Sequence, residues 1–152
     1  MLSLFVPGHP VTQGSVRAYP GRNGGAFVVQ GGSKERRAKL DDWRRSIRDV
    51  TVTTILYDNN VDRKYPLDGP VHVVAHFGMP KPAHYPKKRR TWPISARSGD
   101  IDKLLRAVLD ALTGIVWHDD SQVVAVAVSK DWDTTPGLRL TITGGEESDD
   151  TD

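Results

Sequence analysis

The sequence predicts an α+β domain in which a mixed sheet of about four strands packs against two helices. Two segments carry apolar residues at the spacings of three and four that an amphipathic helix requires, one after Ser33 and one over residues 101–112. Four segments have the composition of strands: residues 2–6, 71–77, 123–128 and 138–143. Their order along the chain (strand, helix, strand, helix, strand, strand) supports this class.

The N-terminal part predicts a strand, a long loop and the first helix. Residues 2–6 form a short apolar run, and residues 9–32 are rich in Gly and Pro, as irregular loops are, with a brief strand at 26–30. Ser33 is placed to open the helix. Its apolar positions are Leu40, Trp43, Ile47 and Val50.

The middle of the chain predicts a strand and the second helix. The strand at 71–77 places His72 and His76 on one face, and such a pair is more often structural than metal-binding. Asp100 or Asp102 can cap the second helix, and Gly114 is placed to end it.

The C-terminal part predicts two strands and a tail. The near-continuous apolar run at 123–128 indicates a buried strand. A turn at 133–137 then leads to a last strand at 138–143, antiparallel to its predecessor. Five of the last seven residues are acidic, so we expect 146–152 to be disordered and 1–145 to form a single domain.

The formal net charge of +2 is unevenly distributed. Because the tail is acidic, the rest of the chain is markedly basic, and residues 81–99 hold six Lys or Arg and no acid. Such a body suits a polyanionic partner, although ordinary surface charge is the alternative. The absence of cysteine, of a signal peptide and of an apolar run of membrane-spanning length predicts a soluble cytoplasmic protein without membrane association.

Two acidic pairs frame the second helix. Asp100 and Asp102 stand at its start, and Asp119 and Asp120 follow the turn after it. If the chain folds back there, the four carboxylates converge, and such a group resists ionisation unless a cation sits between its members. Hard oxygen ligands of this kind suit Mg²⁺, or Mn²⁺ in its place. The alternative is a capped core helix with solvated acids.

The longer motif resembles a known family. Gly99-Asp-Ile-Asp-Lys-Leu-Leu-Arg-Ala-Val-Leu-Asp-Ala-Leu-Thr-Gly114, followed by Trp117-His-Asp-Asp-Ser-Gln-Val-Val124, is similar to the signature of the RusA family of Holliday junction resolvases. The resemblance implies a RusA-like α+β fold and a small, dimeric, Mg²⁺-dependent endonuclease, often carried by phages. It also implies that Asp100, Asp102 and Asp120 bind the metal, with Asp119 as their companion.

The chain departs from the family pattern after the second Asp. The family often has Asn there and a Lys three residues further on, whereas this chain has Lys103 and Arg106. Arg106 is the candidate to stabilise charge on the reacting phosphate. The alternative for Arg106 is a salt bridge with Asp102 or Asp110.

Candidate DNA contacts surround this motif. The Pro-broken basic loop at 80–97 would present cations beside the acids, and phosphate contacts supply affinity without reading sequence. Disorder in the absence of DNA is compatible with that role. The candidates are Gln13, Ser15 and Arg17 of the N-terminal loop, Lys87, Lys88, Arg89, Arg90 and Arg97 of the basic loop, and Lys103 and Lys130.

The predicted function is therefore a metal-dependent endodeoxyribonuclease. We expect a homodimer that resolves four-way and related branched DNA by paired symmetric phosphodiester hydrolysis. A non-catalytic protein that binds branched DNA is the alternative, and it would bind equally with and without Mg²⁺. No Ser/His arrangement stands out and cysteine is absent, which disfavours covalent catalysis.

Overall fold

The structure, a computed structural model, describes residues 1–14, 16–30, 32–58 and 64–144. The strands are β1 (Leu2–Pro7), β2 (Val16–Pro20), β3 (Ala26–Gln30), β4 (Val71–Met79), β5 (Val123–Trp132) and β6 (Gly137–Gly144). The helices are α1 (Lys34–Tyr57) and α2 (Ile101–Leu112), and short 3₁₀ turns at Ala96–Ser98 and Asp120–Gln122 precede α2 and β5.

The main sheet has four strands in the order β1-β6-β4-β5. β6 pairs antiparallel with both β1 and β4, whereas β4 and β5 are parallel. A parallel pair needs a long crossover, and the segment that carries α2 supplies it. The mixed four-stranded sheet with two helices confirms the predicted α+β class.

A separate hairpin of β2 and β3 emerges from the N-terminal loop. Only the β3 half, residues 26–30, was predicted. The partner strand escaped prediction because its neighbourhood is dominated by Gly and Pro, which usually indicate loops. The predicted contact residue Ser15 and the side chain of Arg17 lie outside the described part of the chain, as does the acidic tail at 146–152.

The last strand is antiparallel to its predecessor, as predicted, but the two strands do not pair. β4 lies between β5 and β6, so the short connection after β5 crosses the end of β4. Asp133 N donates to Met79 O over 2.9 Å at this crossing. A Cβ atom on Gly78 would lie 2.8 Å from Asp133 Cβ, so only glycine leaves room for the crossing chain.

The core lies between one face of the sheet and the two helices. α1 contributes Leu40, Trp43 and Ile47, and α2 is buried along the stripe that its sequence predicted. The sheet contributes alternate residues of its strands, as a half-covered sheet should. The largest fully buried side chains include Trp117, Phe77, Leu2, Leu104, Leu138 and Ile142. In the described ranges, none of the helices has both the length and the apolar character that crossing a bilayer requires.

The prediction that residues 123–128 form a buried strand is wrong. β5 is an edge strand, and Val124 and Val126 remain 62% and 42% exposed. An apolar run is buried only where another element covers it, and α2 covers β5 only in part. On the open face of β4, His76 Nδ1 lies 2.7 Å from Ser129 Oγ, which supports the predicted structural role of that histidine.

Candidate metal and nucleic-acid site

The first acidic pair lies exposed at the start of α2. Asp100 occupies the N-cap position, but its side chain makes no capping hydrogen bond. Its carboxylate instead lies 3.2 Å from Lys103 Nζ. Asp102 follows in the first turn, where the positive end of the helix dipole favours a carboxylate. Arg106 is exposed one turn further along.

The turn before α2 is held by the end of β5. Lys130 Nζ donates to Gly99 O over 2.7 Å and lies 3.3 Å from Ser98 Oγ. Gly99 has φ +81°, and a Cβ atom there would lie 2.3 Å from Thr12 Cγ2. Lys130 was predicted as a DNA contact. In the structure its ammonium group hydrogen-bonds the turn before α2 and so fixes the backbone that carries Asp100.

Gln13 ties the N-terminal loop to α2. Its backbone N–H donates to Lys103 O over 3.0 Å, and its side-chain amide hydrogen-bonds the Asp110 carboxylate. The residue is only 7% exposed. This buried position conflicts with the predicted phosphate contact, because the polar residue satisfies a carboxylate of the protein itself.

The second acidic pair lies just before β5. The Asp119 carboxylate accepts the backbone N–H of Ser121 over 2.8 Å. Hydrogen bonds from Ser121, its side chain first and then its backbone, lower the pKa of Asp119 below the ordinary value. Gln122 closes a capping box: its Oε1 accepts from the N–H groups of His118 and Asp119, and its Nε2 donates to Leu67 O. These hydrogen bonds hold Asp119 in place and favour its carboxylate form.

Asp120 is fixed at the opposite end of α2 from Asp102. Its Oδ1 accepts from Trp117 Nε1 over 3.0 Å and from the hydroxyl of Thr113, the residue that caps the C-terminal end of α2. At 1.5 Å per residue, this 12-residue helix is about 18 Å long, and the two acidic pairs lie at its opposite ends.

The expected convergence of the four acids does not occur within one chain. The segment after α2 makes a tight turn, in which Gly114 N donates to Trp117 O over 2.7 Å, and it leads to the start of β5 instead of back along the helix. Among the described residues, no three Asp, Glu, His or Cys side chains lie close enough together to hold a metal ion. Each acidic pair flanks one end of the exposed strand β5.

The basic loop packs on the end of β5. Arg90 Nη2 lies 2.5 Å from Asp131 Oδ2, and the guanidinium sits 4.6 Å above the Trp92 ring. Trp132 Nε1 donates to Thr91 Oγ1 over 3.1 Å, so residues of β5 anchor the loop. The remaining predicted cations of the loop, Lys87, Lys88, Arg89 and Arg97, are exposed, and Arg97 lies nearest to the mouth of α2.

Two groups of residues at this site escaped prediction. Thr113 and Trp117 position Asp120, and the only signal was their closeness to the acidic pair in the sequence. Arg36 and Lys39, three residues apart in the first turns of α1, share a cleft with Arg97 and Gly99. Their spacing puts both cations on one helical edge, which was visible in the sequence, but the element opposite them was not.

Comparison with known proteins bears on this arrangement. A family model described as endodeoxyribonuclease RusA matches residues 7–143, a range that includes both acidic pairs and the basic loop. A search of curated proteins found no match.

Proposed function

This chain belongs to the RusA endodeoxyribonuclease family, and from that premise we propose that it is a Mg²⁺-dependent homodimer that resolves branched DNA. Its substrates are four-way junctions and related branches, cut by paired symmetric hydrolysis of phosphodiester bonds. The observation that carries this proposal is the division of the four acids of the motif into two exposed pairs at opposite ends of α2 and β5.

A second protomer completes the metal site in this proposal. β5 is an edge strand with unpaired backbone groups and an exposed apolar run, the combination through which sheets join one another. Antiparallel pairing of two β5 strands about a two-fold axis brings the start of one strand to the end of the other. Asp119 and Asp120 of one protomer then approach Asp100 and Asp102 of its partner, which creates two equivalent sites.

The donor set fits a hard cation. Asp100, Asp102 and Asp120 would hold it, since carboxylate oxygens are the ligands that Mg²⁺ and Mn²⁺ prefer. All three are exposed, and Lys103 and the Trp117–Thr113 pair hold two of them in place. When bound, the ion supplies a water of lowered pKa and neutralises charge on the scissile phosphate.

The remaining groups position the substrate and balance charge. Arg106 follows Asp102 by one turn and presents a planar cationic donor toward the phosphate oxygens. Lys130 acts through the Gly99 carbonyl, so its role is to position the acidic turn. Hydrogen bonds from Ser121 lower the pKa of Asp119, so its carboxylate form is favoured. The exposed cations of the basic loop hold the flanking DNA backbone.

The first experiment is incubation of the protein with a labelled synthetic four-way junction in Mg²⁺ or EDTA. We expect paired symmetric nicks that vanish in EDTA and in the Asp102→Asn and Asp120→Asn variants. Mixing these two inactive variants gives heterodimers in which one composite site is intact. We expect that mixture to recover nicking of a single strand, whereas sites confined to one chain would stay inactive.

A second candidate function follows from the separation of the acids. If the protein acts as one chain, it has no site for a catalytic metal among its described residues, and it would serve as a binding protein for branched DNA. Tight junction binding without cleavage in Mg²⁺ or Mn²⁺, across junctions of several sequences, would support this alternative and refute the resolvase.

A further inference from the structure

A cleft of about 410 Å³ opens directly beside the first acidic pair. Three separate parts of the chain form its walls: the N-terminal loop at Thr12, the start of α1 at Arg36 and Lys39, and the turn before α2 at Arg97, Ser98 and Gly99. The cleft therefore exists only in the folded chain, and Gly99, the residue that precedes Asp100, is part of its lining.

The charge of the cleft is positive. Arg36, Lys39 and Arg97 all line it, and none of the described residues that line it is acidic. Arg36 and Lys39 are three apart, so their side chains leave α1 on the same edge. Three cations around one small cleft repel one another unless an anion lies between them.

The Arg36 guanidinium is held in position. Its Nη2 donates to Thr12 Oγ1 over 2.9 Å, which uses one of the five N–H donors of an arginine. The contact depends on the close approach of the N-terminal loop to Gly99, where any side chain would collide with Thr12. A donor fork held in this way suits the bidentate recognition of a phosphate.

We propose that this cleft binds a backbone phosphate of the DNA, next to the phosphate that is cut, through Arg36, Lys39 and Arg97. The inference rests on the proposed nuclease function, because it assigns the path of the strand that enters the acidic site. A phosphate in the cleft lies immediately before Asp100 and fixes the register of the strand at the metal ligands. The contact is independent of base sequence.

The test is the salt dependence of junction binding in EDTA, compared among the wild type, Arg36→Ala and Lys39→Ala. Each lost phosphate contact reduces the slope of log affinity against log salt by about 0.9. For both Arg36→Ala and Lys39→Ala, we expect the slope to fall by about 0.9 for each cleft in the protein that binds a phosphate. We also expect the affinity for the junction to be about tenfold weaker at moderate salt. Arg36→Lys should keep the slope, because it keeps the charge.

The matched control is Arg45→Ala, which removes the same charge from the exposed surface of α1, where Arg45 pairs with Asp42. Slopes for Arg36→Ala and Lys39→Ala equal to that of Arg45→Ala would overturn the proposal that the cleft binds a phosphate. The thermal unfolding midpoint of each variant should equal that of the wild type. Equal midpoints exclude misfolding as the cause of a changed slope.

Binding in EDTA also separates this inference from the proposed function. If the wild type binds junctions but never cuts them in Mg²⁺, the resolvase fails while the slopes still decide the cleft. If the wild type cuts junctions and the slopes of the cleft variants match that of Arg45→Ala, only the proposed phosphate site is refuted. A wild type that does not bind junctions at all would overturn both.

Discussion

The indole Nε1 of Trp117 donates to Asp120 Oδ1 over 3.0 Å, which ties an exposed carboxylate to a ring with no exposed surface. Because the ring is packed in the core, this hydrogen bond holds the Asp120 carboxylate in a fixed position. Groups that orient a metal ligand in this way commonly change metal affinity or activity by about 10–100-fold when they are removed.

Trp117→Phe keeps an aromatic ring in the core and removes this donor. We expect the Mg²⁺ concentration that gives half-maximal cleavage to rise about tenfold or more, while junction binding in EDTA stays unchanged. A Mg²⁺ titration of the cleavage rate measures the effect. Trp43→Phe is the matched control, because Trp43 is also buried in the core but its Nε1 has no hydrogen-bond partner among the described residues. An equal loss in both variants would point to general destabilisation.

Val124→Lys tests the exposed edge of β5. The side chain is 62% exposed, so we expect the free energy of unfolding of one chain to change by no more than about 0.5 kcal/mol. A lysine on an edge strand opposes its pairing with another strand, so the variant should sediment as a monomer and lose cleavage with the composite site. Thr143→Lys, on the exposed surface of β6, should remain a dimer and stay active. A monomeric Val124→Lys variant that still cuts would contradict the shared site.

Gln13→Ala tests the tether between the N-terminal loop and α2. The substitution leaves the Asp110 carboxylate without its amide partner, and we expect the free energy of unfolding to fall by about 1–3 kcal/mol. Urea unfolding measures this change. Gly14→Ala, at a neighbouring position where a Cβ atom meets nothing within 4 Å, is the control. Wild-type stability with weakened DNA binding would instead favour the phosphate contact predicted from sequence.

The Arg90–Asp131 pair predicts a pH dependence. The hydrogen bond from Arg90 is the largest of the causes that lower the pKa of Asp131. A lowered folded-state pKa adds stability above the unfolded value of 3.8, and that stability is lost as the pH falls through the folded value. The difference in urea midpoint between wild type and Asp131→Asn should thus be present at pH 7 and should shrink below about pH 4. A difference in midpoint that does not shrink at all on acidification would exclude this origin.

Local patterns predicted most of the elements but not their surroundings. The spacing of apolar residues placed both helices and the four main strands, because burial on one face imposes that spacing. The same information made Val124 look buried, because an apolar run does not say whether its cover comes from its own chain or from another. Gly78 and Asp133, which meet where the β5–β6 connection crosses the end of β4, likewise carry no signal that β4 separates β5 from β6.

The motif predicted the identity of the four acidic residues but not their positions relative to one another. The motif identified Asp100, Asp102, Asp119 and Asp120 as a set, and the helix between them had the predicted bounds. The distance between the two acidic pairs depends on the direction that the chain takes after Thr113. A hydrogen bond between Gly114 and Trp117 holds the tight turn at that point. A motif records which residues serve one chemistry, and that chemistry is compatible with residues from two chains.

The central place of β6 has a consequence for synthesis. β6 comes after the other described strands in the chain, yet it separates β1 from β4 and pairs with both. While the ribosome has not yet released residues 137–144, β1 has no partner and the sheet beneath α2 is incomplete. A chain that stops before residue 137 thus lacks the strand that joins β1 to the rest of the main sheet.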